Sequence, residues 1–308
     1  MCWNTCQNSC LTFRKLRVPA SSANLGPAFD ALALALGIYL ECSFRPADQL
    51  AIHVAGRDAE SIPADENNLI WQTAVRIAGD LKRTMPPIEL HISNSIPLGK
   101  GLGSSAAALT AGVVIADAML GLRWSRGRVL DEAARIEGHP DNVAACVHGS
   151  IVASATDERD VTHAARLELH PRFGIAVVVP DFLLPTVEAR RVLPKTYSRA
   201  DVIFNIQRSA LLITALATGI TDAFPTALED RLHQPYRAAL VPGLDEIISL
   251  RLKGLLGCAL SGAGPSILVF YQRGYEHVCQ SVQHVFTAHG KDSEVMLTEL
   301  ANKGYELS

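Results

Sequence analysis

Three glycines at alternate positions, Gly99, Gly101 and Gly103, enclose Lys100 and lead directly into Ser104 and Ser105, a pattern that can bind phosphate. Glycine lets a backbone turn tightly and approach a ligand closely. The run Ala106–Ala107–Ala108–Leu109 propagates a helix well, and a serine can cap it. Such a helix start presents free N–H groups and the positive end of the helix dipole to phosphate oxygens. Lys100 could add a cation there, and a serine hydroxyl could donate to phosphate or help hold Mg2+. The same residues also suit an ordinary glycine turn before a capped helix. They do not follow the P-loop order, which puts its lysine immediately before the capping Ser/Thr. Nor does a suitably placed acidic residue complete a dinucleotide fingerprint.

The elements that position this loop can be read from hydrophobic period and breakers. Leu16 to Pro19 opens a strand that runs into the polar turn SSANLGP, and Tyr39–Phe44 and Leu50–Val54 have strand character. Asn68 to Lys82 reads as a helix with Leu69, Ala74, Ile77 and Leu81 on its buried side, followed by a strand at Ile88–Ile92. Helices are expected from Ser104, over Ser125–Glu137 and from Asp141, and a strand over Gly149–Ala155. The polar stretch Thr156–His163 is the expected domain boundary. Beyond it come a buried strand at Phe173–Val179, a loop or broken helix over Pro180–Pro194 and a long helix over Ala200–Thr218. Two strands, Leu256–Leu260 and Ile267–Phe270, flank the turn Ser261–Pro265, and a helix (Tyr275–His289) and a strand (Ser293–Glu299) close the order. Local β-pairs mixed with helices predict an α+β fold, its helices packed on mostly antiparallel sheets. The expected division is a peripheral leader over 1–15 and two domains over 16–163 and 164–308.

With 308 residues, 48% apolar and 19% charged, the chain can bury a large core. A net charge of −3 gives no general attraction to nucleic acid or to an anionic membrane surface. No uninterrupted apolar run approaches the roughly eighteen residues of a membrane span, and the N-terminus lacks a secretory pattern. A cytoplasmic location is the expectation. Seven cysteines in a chain of this length do not make a secreted disulfide framework. Cys2, Cys6 and Cys10 are spaced by fours but lack a nearby fourth zinc ligand, whereas Cys42, Cys146 and Cys258 sit among apolar residues and are expected in the core.

The segment PLGKGLGSSAAALTAG, Pro97 to Gly112, resembles the central ATP-binding motif of the GHMP kinases, P-x-x-x-G-L-G-S-S-A-A, at Pro97, Gly101, Leu102, Gly103, Ser104, Ser105, Ala106 and Ala107. VPASSANLGPAFDALALAL (Val18–Leu36) and LSGAGPSILVF (Leu260–Phe270) resemble the early and late motifs of the same superfamily. The resemblance implies a two-domain fold, with a ribosomal-protein-S5-domain-2-like N-terminal half that binds ATP and a ferredoxin-like C-terminal half. It implies ATP phosphates held by Pro97, Leu98, Gly99, Lys100, Gly101, Leu102, Gly103, Ser104, Ser105, Ala106 and Ala107, with Asn67 or Asn68 near adenosine. It also implies Mg2+ near Ser104, with Asp131 favoured as the acidic ligand by family register and Glu137 as the other candidate.

On the acceptor side the chain resembles the homoserine kinase family, through Ser22, Ala23, Asn24, Leu25, Gly26, Pro27, Phe29 and Asp30 and through EGHPDNVAA, Glu137 to Ala145. That resemblance implies L-homoserine as acceptor, contacted by Asn24, Asp30, His139, Asn142, Thr186, Arg190 and Arg237. Arginines suit the carboxylate and Asp30 the ammonium or hydroxyl. Another small hydroxylated acid or amine is the alternative acceptor. Asn142 stands where related kinases carry a catalytic aspartate, which leaves Asp30, Asn142 and Lys100 as the residues closest to the chemistry and no strong base. A homodimer and a place in threonine biosynthesis are further implications. Two departures stand out: Ser21 replaces the family's threonine, and Ala28 replaces a glycine, which would put a methyl group beside the acceptor pocket.

Overall fold

The computed structural model describes residues 12–308. The leader cysteines Cys2, Cys6 and Cys10 therefore lie outside the described residues.

Strand β1 (Arg14–Ala23) alternates Leu16 and Val18 inward against exposed Lys15 and Arg17, then becomes wholly buried. Its register against β2 (Leu32–Pro46) shifts between Pro19 and Ala20, a place where a strand tolerates proline. On its other edge, the long β2 pairs at Leu32–Leu34 with β5 (Ile151–Thr156) and at Leu40–Pro46 with β4 (Ile88–Asn94). β3 (Ala51–Gly56) runs parallel to β4, and β6 (Thr162–Leu167) extends the sheet from β5. The last strand, β11 (Glu306–Leu307), returns to β1 and completes seven strands. The 163/164 boundary expected from the polar stretch thus falls inside β6, because that stretch is the turn of a hairpin and not a linker. A two-residue strand at the C-terminus belongs to the first sheet for the same reason of pairing.

Helices α1 (Leu69–Asp80), α2 (Ser104–Leu120), α3 (Arg126–Glu137) and α4 (Asp141–His148) cover this sheet. Helix α2 is buried almost all round, from Ala106 through Ala116, so it lies at the centre of the core and its N-terminus is held rigidly.

The second sheet is antiparallel throughout, in the order β10 (Ser293–Thr298), β7 (Phe173–Pro180), β9 (Ile267–Gln272), β8 (Leu255–Leu260). Renumbered along the chain this is 4-1-3-2, the ferredoxin-like order. Helices α9 (Leu244–Ser249) and α10 (Cys279–Ala288) contribute to its second core. Between the sheets in sequence lie α5 (Thr186–Arg191), α6 (Arg199–Thr218), α7 (Phe224–Ala227) and α8 (Gln234–Arg237). Among the described residues α6 is the one helix long and apolar enough to cross a membrane by length and composition. It packs Leu212, Ala215 and Leu216 into the core and buries Asn205, whose amide donates to Pro27 O and Asp230 Oδ1.

Cys42, Cys146 and Cys258 are buried, as is Cys279. Burial pushes the Cys42 and Cys146 thiols up to about 12, so they are packing residues and not nucleophiles.

Candidate active site

Gly99, Gly101 and Gly103 all adopt left-handed backbone, with φ of +64°, +75° and +68°. Gly103 occupies the N-cap position of α2, so neither Ser104 nor Ser105 caps the helix as expected; they are its first two residues, and no side-chain cap is present. The first intrahelical bond runs from Ala107 N–H to Gly103 O. The amide groups ahead of it are the donors a helix start leaves to a ligand.

Neighbouring chain crowds this loop. A Cβ on Gly103 would lie 2.0 Å from Ser21 Oγ, and one on Gly101 would lie 2.2 Å from Ser261 O. The late motif closes on the loop directly: Ser261 Oγ donates to Gly101 O at 2.7 Å, and Ser266 N–H to Lys100 O at 3.2 Å. Both motifs read from sequence as separate segments are therefore one structural unit.

Lys100 does not face the cradle. Its ammonium donates to Pro180 O and Phe182 O, each at 2.8 Å, and it is absent from the lining of the cleft. Partial burial lowers its pKa. The sequence could not reveal this, because the carbonyls that attract it come from the end of β7, eighty residues away. Lys100 is a strut between the two sheets and is not assigned to phosphate.

Two clefts meet at Ser104 and Ser105. The first, about 270 Å³, is lined by Asn24, Asp30, Gly99, Gly101, Gly103, His139, Asn142, Thr186, Arg190 and Arg237, among others. The second, about 250 Å³, is apolar, with Ile62, Pro63, Leu69, Leu98 and Ala108 in its walls. Asn68 lies there too, but its side chain is spent on its own helix and loop. Its Oδ1 accepts from Ile70 N–H, and its Nδ2 donates to Pro63 O. Leu98 and Ala108 belong to the glycine-loop segment, whereas Ile62, Pro63 and Leu69 carry no motif and were not identified as site residues from sequence.

On the acidic side, Glu137 ends α3 and turns its carboxylate toward α2, where Ser105 Oγ lies 3.4 Å away. Burial raises its pKa, although the nearby His139 offsets part of that effect. A largely buried carboxylate beside a hydroxyl at the head of the phosphate cradle suits a hard cation such as Mg2+. Asp131 does not. It lies two turns earlier, where Oδ1 accepts from Thr162 N–H of β6, and it lines a separate cleft with Arg128 and Arg159. The helix period turns the two carboxylates to different surroundings, so that Glu137, and not Asp131 as the register led one to expect, lies beside the start of α2.

The acceptor side combines opposite charges. Arg190 makes a bidentate pair with Asp30, at 2.8 and 3.1 Å. Arg237 is fully buried; its guanidinium donates to Ala189 O, Gly262 O and His233 Nδ1. Burial, with Arg190 adding to it, lowers the Arg237 pKa to about 10, so it remains a cation at neutral pH. Both arginines lie over the Phe29 ring, 5.7 and 5.5 Å from its centroid.

A supporting network fixes this arrangement. His233 is buried, and its Nε2 faces Gly26 O at 2.7 Å. A carbonyl only accepts, so Nε2 carries the proton and Nδ1 is free to accept from Arg237. Burial, reinforced by the Arg237 cation, lowers the His233 pKa and keeps this neutral tautomer. Asp230 accepts from the amides of Leu232, His233 and Gln234. Phe29, Asn205, Asp230 and His233 were all missed from sequence. Their roles come from contacts across a fold; Phe29 lay within the early motif, and His233 opens the HQPYRAALVPG stretch that carries Arg237.

Asn24 and Asn142 are partly committed to the protein. Asn24 donates to Gly262 O and accepts from Asp30 N–H, which holds Asp30 in a left-handed conformation, φ +54°. Asn142 Oδ1 accepts from Ser21 Oγ at 2.8 Å, so the Ser21 hydroxyl orients it and leaves Nδ2 toward Asp141. Thr186 begins α5 at the cleft edge.

His139 Nδ1 pairs with Asp141 Oδ1 at 2.8 Å. Burial opposes its charge, but the hydrogen bond and charge of Asp141 prevail and raise its pKa. Asp141→Asn removes the larger raising contributions and leaves the burial, with only the Glu137 charge still raising the pKa. His139 should then titrate at lower pH than in the parent protein, as read from its ring resonances in an NMR pH titration; an unmoved midpoint would contradict the pairing.

Ala28 is buried in the core, does not line the cleft, and is not among the positive-φ residues. The methyl group expected beside the acceptor pocket is therefore packed elsewhere. Ala28→Gly should leave the acceptor KM within about twofold while lowering stability by about 0.4–1 kcal/mol, measured by denaturant unfolding, because glycine frees the unfolded chain.

Comparison with known proteins agrees with this architecture. The GHMP kinases N terminal domain family matches residues 68–150, and the GHMP kinases C terminal family matches 212–285. The chain is 65% identical over 293 residues to the homoserine kinase of Solibacter usitatus, covering 95% of this chain and 96% of that one. It is 44% identical to the homoserine kinase of Deinococcus radiodurans, covering 91% and 92%. The crystal structure of homoserine kinase from Cytophaga hutchinsonii superposes with a TM-score of 0.83 at 27% identity, covering 96% of this chain and 98% of that one. With the interlocked glycine loops, the 4-1-3-2 sheet and identity running through nearly the whole length, the chain belongs to the homoserine kinase family of the GHMP kinases.

Proposed function

We propose that this enzyme transfers the γ-phosphoryl group of ATP to the side-chain hydroxyl of L-homoserine, giving ADP and O-phospho-L-homoserine. The observation that carries the substrate reading is the charge set in the first cleft: Arg190 and Arg237 face Asp30 beside the Gly99–Ser105 loop. A zwitterionic amino acid satisfies both signs at once. Its carboxylate takes the place of Asp30 on Arg190, beside Arg237, and its ammonium takes the place of Arg190 on Asp30. A neutral sugar would leave that pair closed and gain neither charge-assisted contact.

ATP phosphates are assigned to the N–H groups of Gly101 to Ala106, and the adenosine to the apolar cleft behind Ser104 and Ser105. Glu137, with Ser104 or Ser105, would hold Mg2+, which when bound neutralises charge on the β- and γ-phosphoryl oxygens. Phosphoryl transfer asks mainly for alignment and charge stabilisation, and the chain supplies both from rigid parts. Asn24 fixes the backbone of Asp30, Asp30 orients the acceptor, and Ser21 orients Asn142 toward it. His139, charged over a wider pH range than an ordinary histidine, faces the same space with Asp141 behind it.

Calorimetric titration of Arg190→Ala tests the carboxylate assignment. L-Homoserine affinity should fall about 10- to 150-fold, the range for a hydrogen bond to a charged group, with ATP affinity within twofold. Equal loss of both ligands would remove Arg190 from the acceptor site and make its role structural.

A further inference from the structure

The outer face of the first sheet, away from its helices, carries a second group of chemically capable side chains. Residues exposed on alternate positions of β1 to β4 face the solvent there and line a groove of about 690 Å³ that includes Lys15, Arg17, Glu41, His53 and His91. Within it, His53 of β3 and His91 of β4 are direct partners in a parallel register. Their rings stack at 4.6 Å and 30°. Glu89, two residues before His91 and hence on the same face, places Oε1 2.8 Å from His91 Nε2. One donor atom from each of His53, Glu89 and His91 lies within 4.8 Å of the others.

We infer that His53, Glu89 and His91 form a binding site for a divalent transition metal of the zinc class, separate from the kinase centre. Two imidazoles and one carboxylate are a donor set zinc uses at about 2.0–2.2 Å, with remaining positions open to water. Donors around a tetrahedral ion at that radius stand about 3.3–3.6 Å apart. The donor atoms already lie within 4.8 Å of one another, on residues whose backbone positions are fixed by one sheet.

Three details favour a ligand set over ordinary surface histidines. Arg45 Nε and Nη2 hold Glu89 Oε2 at 2.8 and 2.6 Å, which directs Oε1 into the cluster. A ligating carboxylate is commonly oriented by such an outer partner. Among the described residues His53 has no hydrogen bond or ion pair, so nothing but its ring stack has to be given up to bind an ion. Phe13 packs against His91 in a T-shaped arrangement, with the Arg45 guanidinium over the Phe13 ring, and so shields one flank of the cluster. An ion there would clamp edge strand β3 to β4. None of His53, Glu89 and His91 lines the kinase clefts.

The test is titration of the full chain with Zn2+ alone, by calorimetry, in the parent protein and in His53→Ala, His91→Ala and the double variant. Two other places could take zinc: the leader cysteines, and the group Asp30, His139 and Asp141. The readout is therefore the equivalent that disappears with the histidines, repeated in a Cys2→Ser, Cys6→Ser, Cys10→Ser background. One equivalent should bind in both backgrounds, weaken at least about tenfold in each single variant and vanish in the double variant. Turnover with Mg·ATP should be unchanged in all of them, and Co2+ should give visible absorption that the double variant lacks. Undiminished binding in the double variant, or no histidine-dependent equivalent at a tenfold molar excess of Zn2+, would overturn the site.

Discussion

Replacing Gly101 with alanine should lower kcat by about a hundredfold and destabilise the protein by about 3 kcal/mol. Two independent costs combine. A non-glycine residue in left-handed backbone costs roughly 1–2 kcal/mol, and Gly101 has φ +75°. The added Cβ would also lie 2.2 Å from Ser261 O and 2.7 Å from Gly264 O, both main-chain atoms that cannot rotate away. Forcing extra volume into such a contact costs about another 1–3 kcal/mol. Because the displaced loop carries the amides assigned above to phosphate, a shift of the order of 1 Å would reach the reacting groups, and misplacement of that size lowers rates by about a hundredfold. Gly121→Ala is the control. Gly121 has φ +64° but no atom within 4 Å of its would-be Cβ, so it should show the backbone cost and normal turnover. Equal kcat in the two variants would mean the close approach of the two loops is unimportant for catalysis.

Arg237→Leu should show the second large effect, on stability and acceptor binding together. Its guanidinium satisfies Ala189 O, Gly262 O and His233 Nδ1 in a fully buried position. Removing one member of a buried charged network costs about 3–5 kcal/mol, because the groups left behind lose their partner without regaining water. Denaturant unfolding followed by fluorescence should show that loss. Arg237→Lys separates structure from recognition. It keeps a cation but not the planar fork, so stability should recover in part while kcat/KM for L-homoserine stays down by about a hundredfold or more. A lysine variant with native kcat/KM would place Arg237 in the scaffold only.

These two sites also show how far the sequence could be read. The glycine loop announced itself because its chemistry is local: small residues, a helix start and two serines lie within nine positions. Its consequence for the fold was not local. Only the structure shows that Gly101 is small because Ser261 and Gly264 press on it. Arg190 and Arg237 were legible through family motifs, whereas His233 and Asp230, which hold Arg237 and the Gly26 turn, were not. Each looks like an ordinary loop residue until helices α6 and α8 are folded against the early motif. Lys100 and Asp131 failed for a related reason. Residue type and register name a candidate, but side-chain direction is decided by whichever partners the tertiary fold brings near: carbonyls from β7 for Lys100 and the Thr162 amide for Asp131. At the level of fold, most strands with clear hydrophobic pattern were found, while the buried first half of β2, the mostly exposed β6 and the two-residue β11 were not. Edge strands bury little, so their sequences carry little of the alternation on which such reading depends.

The most direct test is phosphorus NMR and product mass on purified enzyme with ATP, Mg2+ and L-homoserine, run beside L-threonine, L-serine, mevalonate and galactose. The charge set around Asp30, Arg190 and Arg237 predicts ADP and O-phospho-L-homoserine formed together in equal amounts, with L-homoserine strongly preferred. Turnover favouring mevalonate or galactose, acceptors without that pair of charges, would contradict the assignment of the acceptor site.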